Sequence, residues 1–179
     1  MLAYNIPGVT TLVLTREQIV GIYNGSISRW NDPTFAIYNA GIAFPNAAIV
    51  PVARYESSTG STEILTESLS SFSAAWTTHY GVFSKPTGWN SSVVKHFAQR
   101  ISGMADFIRR EPYRIGYLTP AGADQVKLPY TSIVNRRGRV TDGHKRSVQT
   151  AMDERAQNMS SRLNGTLLLN PPISSRIVL

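Results

Sequence analysis

Residues 54–64 read RYESSTGSTEI, and their types and spacing could do one kind of chemistry well, the holding of an anion. Arg54 offers a planar fork of N–H donors that matches a carboxylate or phosphate in two-point contact. Ser57, Ser58, Thr59, Ser61 and Thr62 add hydroxyls, and Gly60 lets the backbone turn tightly between them. A loop of this kind followed by a helix start exposes successive backbone N–H groups, and the positive end of the helix dipole favours an oxyanion there. Glu56 would repel most anions. It fits a ligand that carries a proton, because an ionised carboxylate accepts a hydrogen bond from monohydrogen or dihydrogen phosphate but not from sulfate. The plainer alternative is a surface turn: hydroxyls capping a helix, Glu63 favouring its first turn, and Arg54 pairing with Glu56. Both readings stand at this level.

Other chemistries lack their residues. No G-x-x-x-x-G-K-[ST] phosphate loop occurs, and Gly60 is the only glycine of the segment, so no dinucleotide fingerprint forms. His79, His96 and His144 are scattered without ligand spacing, which disfavours a metal. A serine nucleophile would need a G-x-S-x-G elbow, and none is present. The run Asp153-Glu154-Arg155 reads as a solvated helix face. Trp30, Trp76 and Trp89 read as packing groups, with KPTGW as a possible cleft rim. No cofactor is called for.

The elements that must position the motif follow from periodicity. MLAYNIPG is strand-like. Thr15 caps a short helix with Glu17 and Gln18 in its first turn and Ile19, Ile22 and Tyr23 on its apolar side, and NGS ends it. NDPTFAIYN is a second short helix started by Asn31 or Asp32, with Pro33 at its first position. GIAFPNAAIVPVARY passes from a loop into a strand ending near Arg54. A helix begins near Ser61 or Thr62, with Leu65, Leu69, Phe72 and Trp76 in one continuous stripe. Ile101, Met104, Ala105 and Ile108 stripe the next helix, which stops before Pro112. YRIGYLTP is a strand, and QVKLPYTSIVN a strand region interrupted by Pro129. GRVTDG turns into a helix striped by Val148, Met152 and Met159, and the closing PISSRIVL is strand-like. Helices alternating with short strands across long crossovers define an α/β fold with its sheet covered on both faces.

Composition bounds the class. A chain of 179 residues with 42% hydrophobic content can bury one core, and it has no cysteine for disulfides or thiolate metal sites. Eighteen basic against 11 acidic residues give a net charge of +7, favouring anionic partners in general. The basic residues include three pairs (Arg109-Arg110, Arg136-Arg137, Lys145-Arg146) but no compact block interleaved with aromatics, so nucleic acid is a disfavoured partner. Asn24-Gly25-Ser26, Asn90-Ser91-Ser92, Asn158-Met159-Ser160 and Asn164-Gly165-Thr166 match the N-glycosylation pattern and lean towards an exported protein. No membrane span is visible.

The order of motifs resembles the periplasmic phosphate-binding proteins of bacterial phosphate ABC transporters and the related secreted DING proteins. The matching stretches are NIPG, LTREQIVGIYNGSISRWNDP, FPNAAIVPVARYESSTGSTEILTESL, ADFIRREPYRIGYLTP and PPISSRIVL. The resemblance implies a type II periplasmic-binding-protein-like lobe, with a mixed central sheet flanked by helices. It implies that residues 1–179 form a single such lobe, the second of two that close on phosphate, cut from a larger protein whose first lobe supplies further ligands.

It also implies the site. The family's arginine falls on Arg54, its aspartate on Glu56 and its serine on Ser58. Its later glycine falls on Gly60, and its threonine on Ser61 or Thr62. Two departures stand out: glutamate replaces aspartate, reaching about 1.5 Å further, and the loop holds an extra residue, Thr59, with Ser57 where a glycine is expected. The expectation is a non-enzymatic, extracytoplasmic domain for inorganic phosphate or a similar oxyanion. The alternative is a secreted or cell-surface recognition or adhesion module with a protein partner and weakened phosphate binding.

Overall fold

The computed structural model describes residues 1–57 and 59–142. In chain order the strands are β1 (Leu2–Tyr4), β2 (Val13–Leu14), β3 (Val50–Arg54), β4 (His96–Ala98), β5 (Arg114–Tyr117), β6 (Ser132–Val134) and β7 (Val140–Thr141). The helices are α1 (Arg16–Asn24), α2 (Gly60–Phe72), α3 (Ala74–His79), α4 (Arg100–Arg110) and α5 (Pro120–Gln125), with 3-10 turns at Pro33–Ile37 and Pro86–Gly88. The central sheet has the order β1-β5-β3-β4. β3 runs parallel to both β4 and β5, while β1 is antiparallel to β5, so the sheet is mixed as expected. A smaller sheet, not anticipated, joins β2 parallel to β6 and β6 antiparallel to β7.

Local chemistry explains most element ends. Thr15 and Gln18 form a reciprocal capping box at the start of α1, and Gly25, with φ of 88°, closes it in the left-handed region that glycine adopts without a Cβ penalty. Asp32 caps the Pro33 turn through its side chain. Asn39, 5% exposed, ties that turn to β2: it accepts from the Val13 N–H and donates to the Val13 and Phe35 carbonyls, each at 2.8 Å. Asn5, just past β1, donates to the carbonyls of Ile108, Arg109 and Glu111, which would otherwise end α4 unpaired.

The sheet is covered on both faces. A side chain at Gly116 would meet Ile108 and Met104 of α4 at 2.9 Å, whereas the neighbouring Tyr117 reaches Thr62 of α2. Alternation along a strand puts α4 and α2 on opposite sides. Trp30, Trp76 and Trp89 are all buried, as packing groups. Trp89 is no cleft rim; it stands edge-on to Phe83 and packs with Tyr23, Trp76 and Tyr117.

Several expectations need correction. The stripe from Leu65 to Trp76 is carried by two helices. Ser73 adopts an extended backbone, ends α2 with its N–H on the Leu69 carbonyl, and starts α3 by accepting from the Trp76 N–H. Helix α2 begins at Gly60, earlier than Ser61 or Thr62. Ile101 is 37% exposed, so it stands at the margin of the α4 stripe. The segment before Pro129 is no strand: Gln125 ends helix α5, which the Thr119 cap and Pro120 start, and a turn follows at Val126 and Lys127. Residues 138–141 of GRVTDG enter the β6–β7 hairpin, whose turn is stapled by Asn135 accepting from the Arg137 and Arg139 N–H groups. The helix striped by Val148, Met152 and Met159, the closing strand, His144, Lys145-Arg146 and two of the glycosylation patterns lie outside the described residues.

Candidate anion-binding site

Three parallel strands end at one edge, and each hands over to a helix there. β3 stops at Arg54 and α2 begins at Gly60; β4 stops at Ala98 and α4 begins at Arg100; β5 stops at Tyr117 and α5 begins at Pro120. The carboxyl edge of parallel strands is where open α/β sheets place their ligand sites. The candidate residues meet at this edge because β3 is flanked on both sides by parallel neighbours.

Arg54 is nearly enclosed, its side chain 11% exposed. Its guanidinium is held in two-point contact by the carboxylate two residues on: Nε donates to Glu56 Oε2 at 2.9 Å and Nη2 to Oε1 at 3.1 Å. Oε1 also accepts the backbone N–H of Arg100, the first residue of α4. Gln99 provides no side-chain cap there, so Glu56 caps α4 from across the sheet edge. One carboxyl thus serves both the Arg54 guanidinium and the Arg100 N–H. These bonds, the Arg54 guanidinium first, hold the Glu56 carboxyl at a pKa of about 2. Arg100 has a left-handed backbone, φ 58°, uncommon for a non-glycine residue.

The Arg54 backbone is held as well. Its N–H donates to the Tyr117 hydroxyl at 2.8 Å, and that hydroxyl lies 2.7 Å from Thr62 Oγ1, which lies 2.7 Å from Thr59 Oγ1. Burial pushes the Tyr117 phenol upward, against the lowering influence of its Thr62 and Arg54 contacts. Thr62 is 1% exposed, and Ser61 half-buried. The Thr59 carbonyl accepts from the N–H groups of Thr62 and Glu63. Those of Gly60 and Ser61, and Arg54 Nη1, find no acceptor among the described residues. The edge therefore holds more donors than acceptors, the condition for binding an anion.

Of the residues singled out in the sequence, Arg54, Glu56, Gly60, Ser61 and Thr62 share this edge; Ser58 lies outside the described residues. Arg54 does pair with Glu56, as the plain surface-turn reading had it, but as a largely buried strand-end pair. Tyr117 and the N–H of Arg100 were missed. The available signal was the tyrosine within the strand stretch YRIGYLTP. β4 gave none, being three residues without a clear alternation. Among the described residues no cluster of His, Asp and Glu forms a metal site, and no helix is long and apolar enough to cross a membrane.

Residues 1–163 match the family model described as PBP superfamily domain. The chain is 32% identical over 168 residues to the phosphate-binding protein PstS of Pasteurella multocida, covering 93% of this chain and 47% of that protein. It is 37% identical over 127 residues to a putative serine/threonine-protein kinase/receptor of Acanthamoeba polyphaga mimivirus, covering 67% of this chain and 8% of that one. Among solved structures, a high-affinity periplasmic phosphate-binding protein bound with phosphate, PfluDING, aligns over 99% of this chain and 52% of its own at a TM-score of 0.63 and 18% identity. PstS from Borrelia burgdorferi aligns over 85% and 51% at 0.55, also at 18% identity.

The sheet order, the strand-edge site and these matches define a periplasmic-binding-protein-like α/β lobe. The chain belongs to the PBP superfamily, is related to the PstS phosphate-binding proteins, and shares the fold of a DING protein lobe. It spans about half the length of the PstS relative it matches, 47%.

Proposed function

We propose that residues 1–179 are one lobe of a two-lobed extracytoplasmic protein and supply one side of its site for inorganic phosphate. Arg54, Ser58, Gly60 and Ser61 donate to the anion, and Thr62, whose N–H donates to the Thr59 carbonyl, closes the turn that presents those amides. Glu56 aims the guanidinium and keeps one lone pair of Oε2 open for a phosphate O–H. The observation that carries this reading is the Arg54–Glu56 pair at the end of β3, ahead of two N–H groups at the start of α2 with no acceptor among the described residues. It is supported by the relation to phosphate-binding proteins. A lone lobe binds weakly, since desolvating phosphate takes donors from both walls of a cleft. The test is calorimetric titration with phosphate and sulfate of this chain and of the longer protein containing the other lobe. Phosphate binding that survives excess sulfate and disappears in Arg54→Ala is expected. No heat from either ion in the longer protein would overturn the reading.

A second reading rests on the viral relative, in which a stretch similar to this chain makes up 8% of a putative kinase/receptor. There the lobe would serve as a recognition module on a larger cell-surface protein, with a protein partner in place of the transporter. The same titration separates the two, because a module that has lost the ion gives no heat in any setting.

A further inference from the structure

We propose that Thr59, the extra residue of the loop, is itself a phosphate ligand, and that Tyr117 is the positioning residue that aims its hydroxyl proton at the anion. This deepens the phosphate reading and rests on it. The hydroxyls of Tyr117, Thr62 and Thr59 form a row with 2.7 Å between neighbours, and the row starts at the backbone of Arg54. Distances alone leave its direction open, and burial decides it.

The Tyr117 oxygen already accepts the Arg54 N–H, so its own proton needs an acceptor. Tyr117 is 6% exposed, and Thr62 Oγ1 is its only side-chain hydrogen-bond neighbour among the described residues. If the row ran inward, Thr59 would donate to Thr62 and Thr62 to Tyr117. The phenol proton would then be left buried without a partner, a cost of about 1–3 kcal/mol. Run outward, both buried hydroxyls are satisfied: Tyr117 donates to Thr62, Thr62 donates to Thr59, and the Thr59 proton is the one left without an acceptor among the described residues. Thr59 is the less buried end, and although it occupies the N-cap position of α2, its side chain makes no capping bond. Successive bonds of one direction polarise each other, which strengthens the terminal donor.

The end of the row sits where the anion is proposed to sit. Thr59 immediately precedes Gly60 and Ser61, whose N–H groups have no acceptor among the described residues. An oxygen bound at those amides would meet the Thr59 hydroxyl from the same turn. The inserted residue thus adds a donor to the half-site, and Tyr117 couples that donor to the strand that carries Arg54.

The experiment is phosphate titration of the longer two-lobed protein with Thr59→Val, Thr59→Ser, Tyr117→Phe and the Tyr117→Phe/Thr59→Val double variant. Thr59→Val should weaken phosphate about tenfold, the worth of one hydrogen bond to a charged group. Thr59→Ser should stay within about twofold of the unsubstituted protein. Tyr117→Phe lets the remaining hydroxyls reverse and should also weaken binding. The double variant should be no weaker than Thr59→Val alone, since the two substitutions break one row. A purely structural Tyr117 would instead give additive losses, and additivity overturns its positioning role. If Tyr117→Phe does not fold, Thr59→Val and Thr59→Ser still decide the ligand. Phosphate binding by the unsubstituted protein that is unchanged in Thr59→Val overturns this proposal alone. No phosphate binding by the unsubstituted protein overturns the functional reading and this proposal with it.

Discussion

Arg54 and Glu56, two residues apart at the end of β3, form a two-point ion pair whose carboxylate also caps α4 through the Arg100 N–H. The pair sits at the sheet edge, and its geometry joins three elements in one contact. It locks the guanidinium in place before any ligand arrives, and a preorganised donor loses less freedom on binding than a loose one.

Glu56→Gln should lower stability at neutral pH and lose that effect in acid. The Glu56 pKa falls from an ordinary 4.5 to about 2 on folding. A depressed carboxyl stabilises the fold fully above pH 4.5, and the contribution disappears as pH falls from 4.5 through 2. The carboxylate is a third exposed, so solvent screening brings the expected difference to about 1 kcal/mol. Urea unfolding of both proteins between pH 2 and 7 reads it. A gap that stays constant down to pH 2 would show that the ion pair is not its source.

Asn39→Ala should destabilise the protein by about 2–3 kcal/mol, because it strips three bonds at once and leaves the Val13 N–H unpaired beneath the turn. Asn39→Asp should be no better at pH 7, since it sets a carboxylate against the Val13 and Phe35 carbonyls. Thermal unfolding midpoints report both. A midpoint for Asn39→Ala within a degree or so of the original would mean that water replaces the side chain without cost.

Lys127→Gly should raise stability by about 1 kcal/mol. Lys127 has a φ of 55° just past α5, where its N–H bonds to the Asp124 carbonyl and the Leu128 N–H to that of Ala123. That double bond pattern is a helix end that favours glycine in the left-handed position. Lys127→Ala keeps the Cβ and should gain nothing, so equal behaviour of the two variants would contradict the strain argument.

The fold was legible to different depths along the chain. The α1 cap, the Pro33 turn, β3 and β5 are legible because each carries its signal within a few residues: Thr15 with Gln18, Asp32 before Pro33, the apolar run ahead of Arg54, and Ile115 and Tyr117 alternating before Pro120. The break at Ser73 was missed because the apolar spacing continues across it while the backbone does not. β4 was missed because three residues are too few for a pattern, and its existence depends on lying beside β3. Helix α5 carried a readable Thr119-Pro120 start that the neighbouring strand-like residues obscured.

At the site, sequence order alone determined that Arg54, Glu56, Gly60, Ser61 and Thr62 lie together, because a strand end, a tight turn and a helix start are local events. Tertiary structure alone decided what Glu56 and Thr59 do. Glu56 reaches α4 because β4, 40 residues further along the chain, ends beside β3. Thr59 faces a row of hydroxyls because Tyr117 arrives on the strand at the other side. Residue types set which bonds are available, and the packing of parallel strands brings the partners within 3 Å of one another.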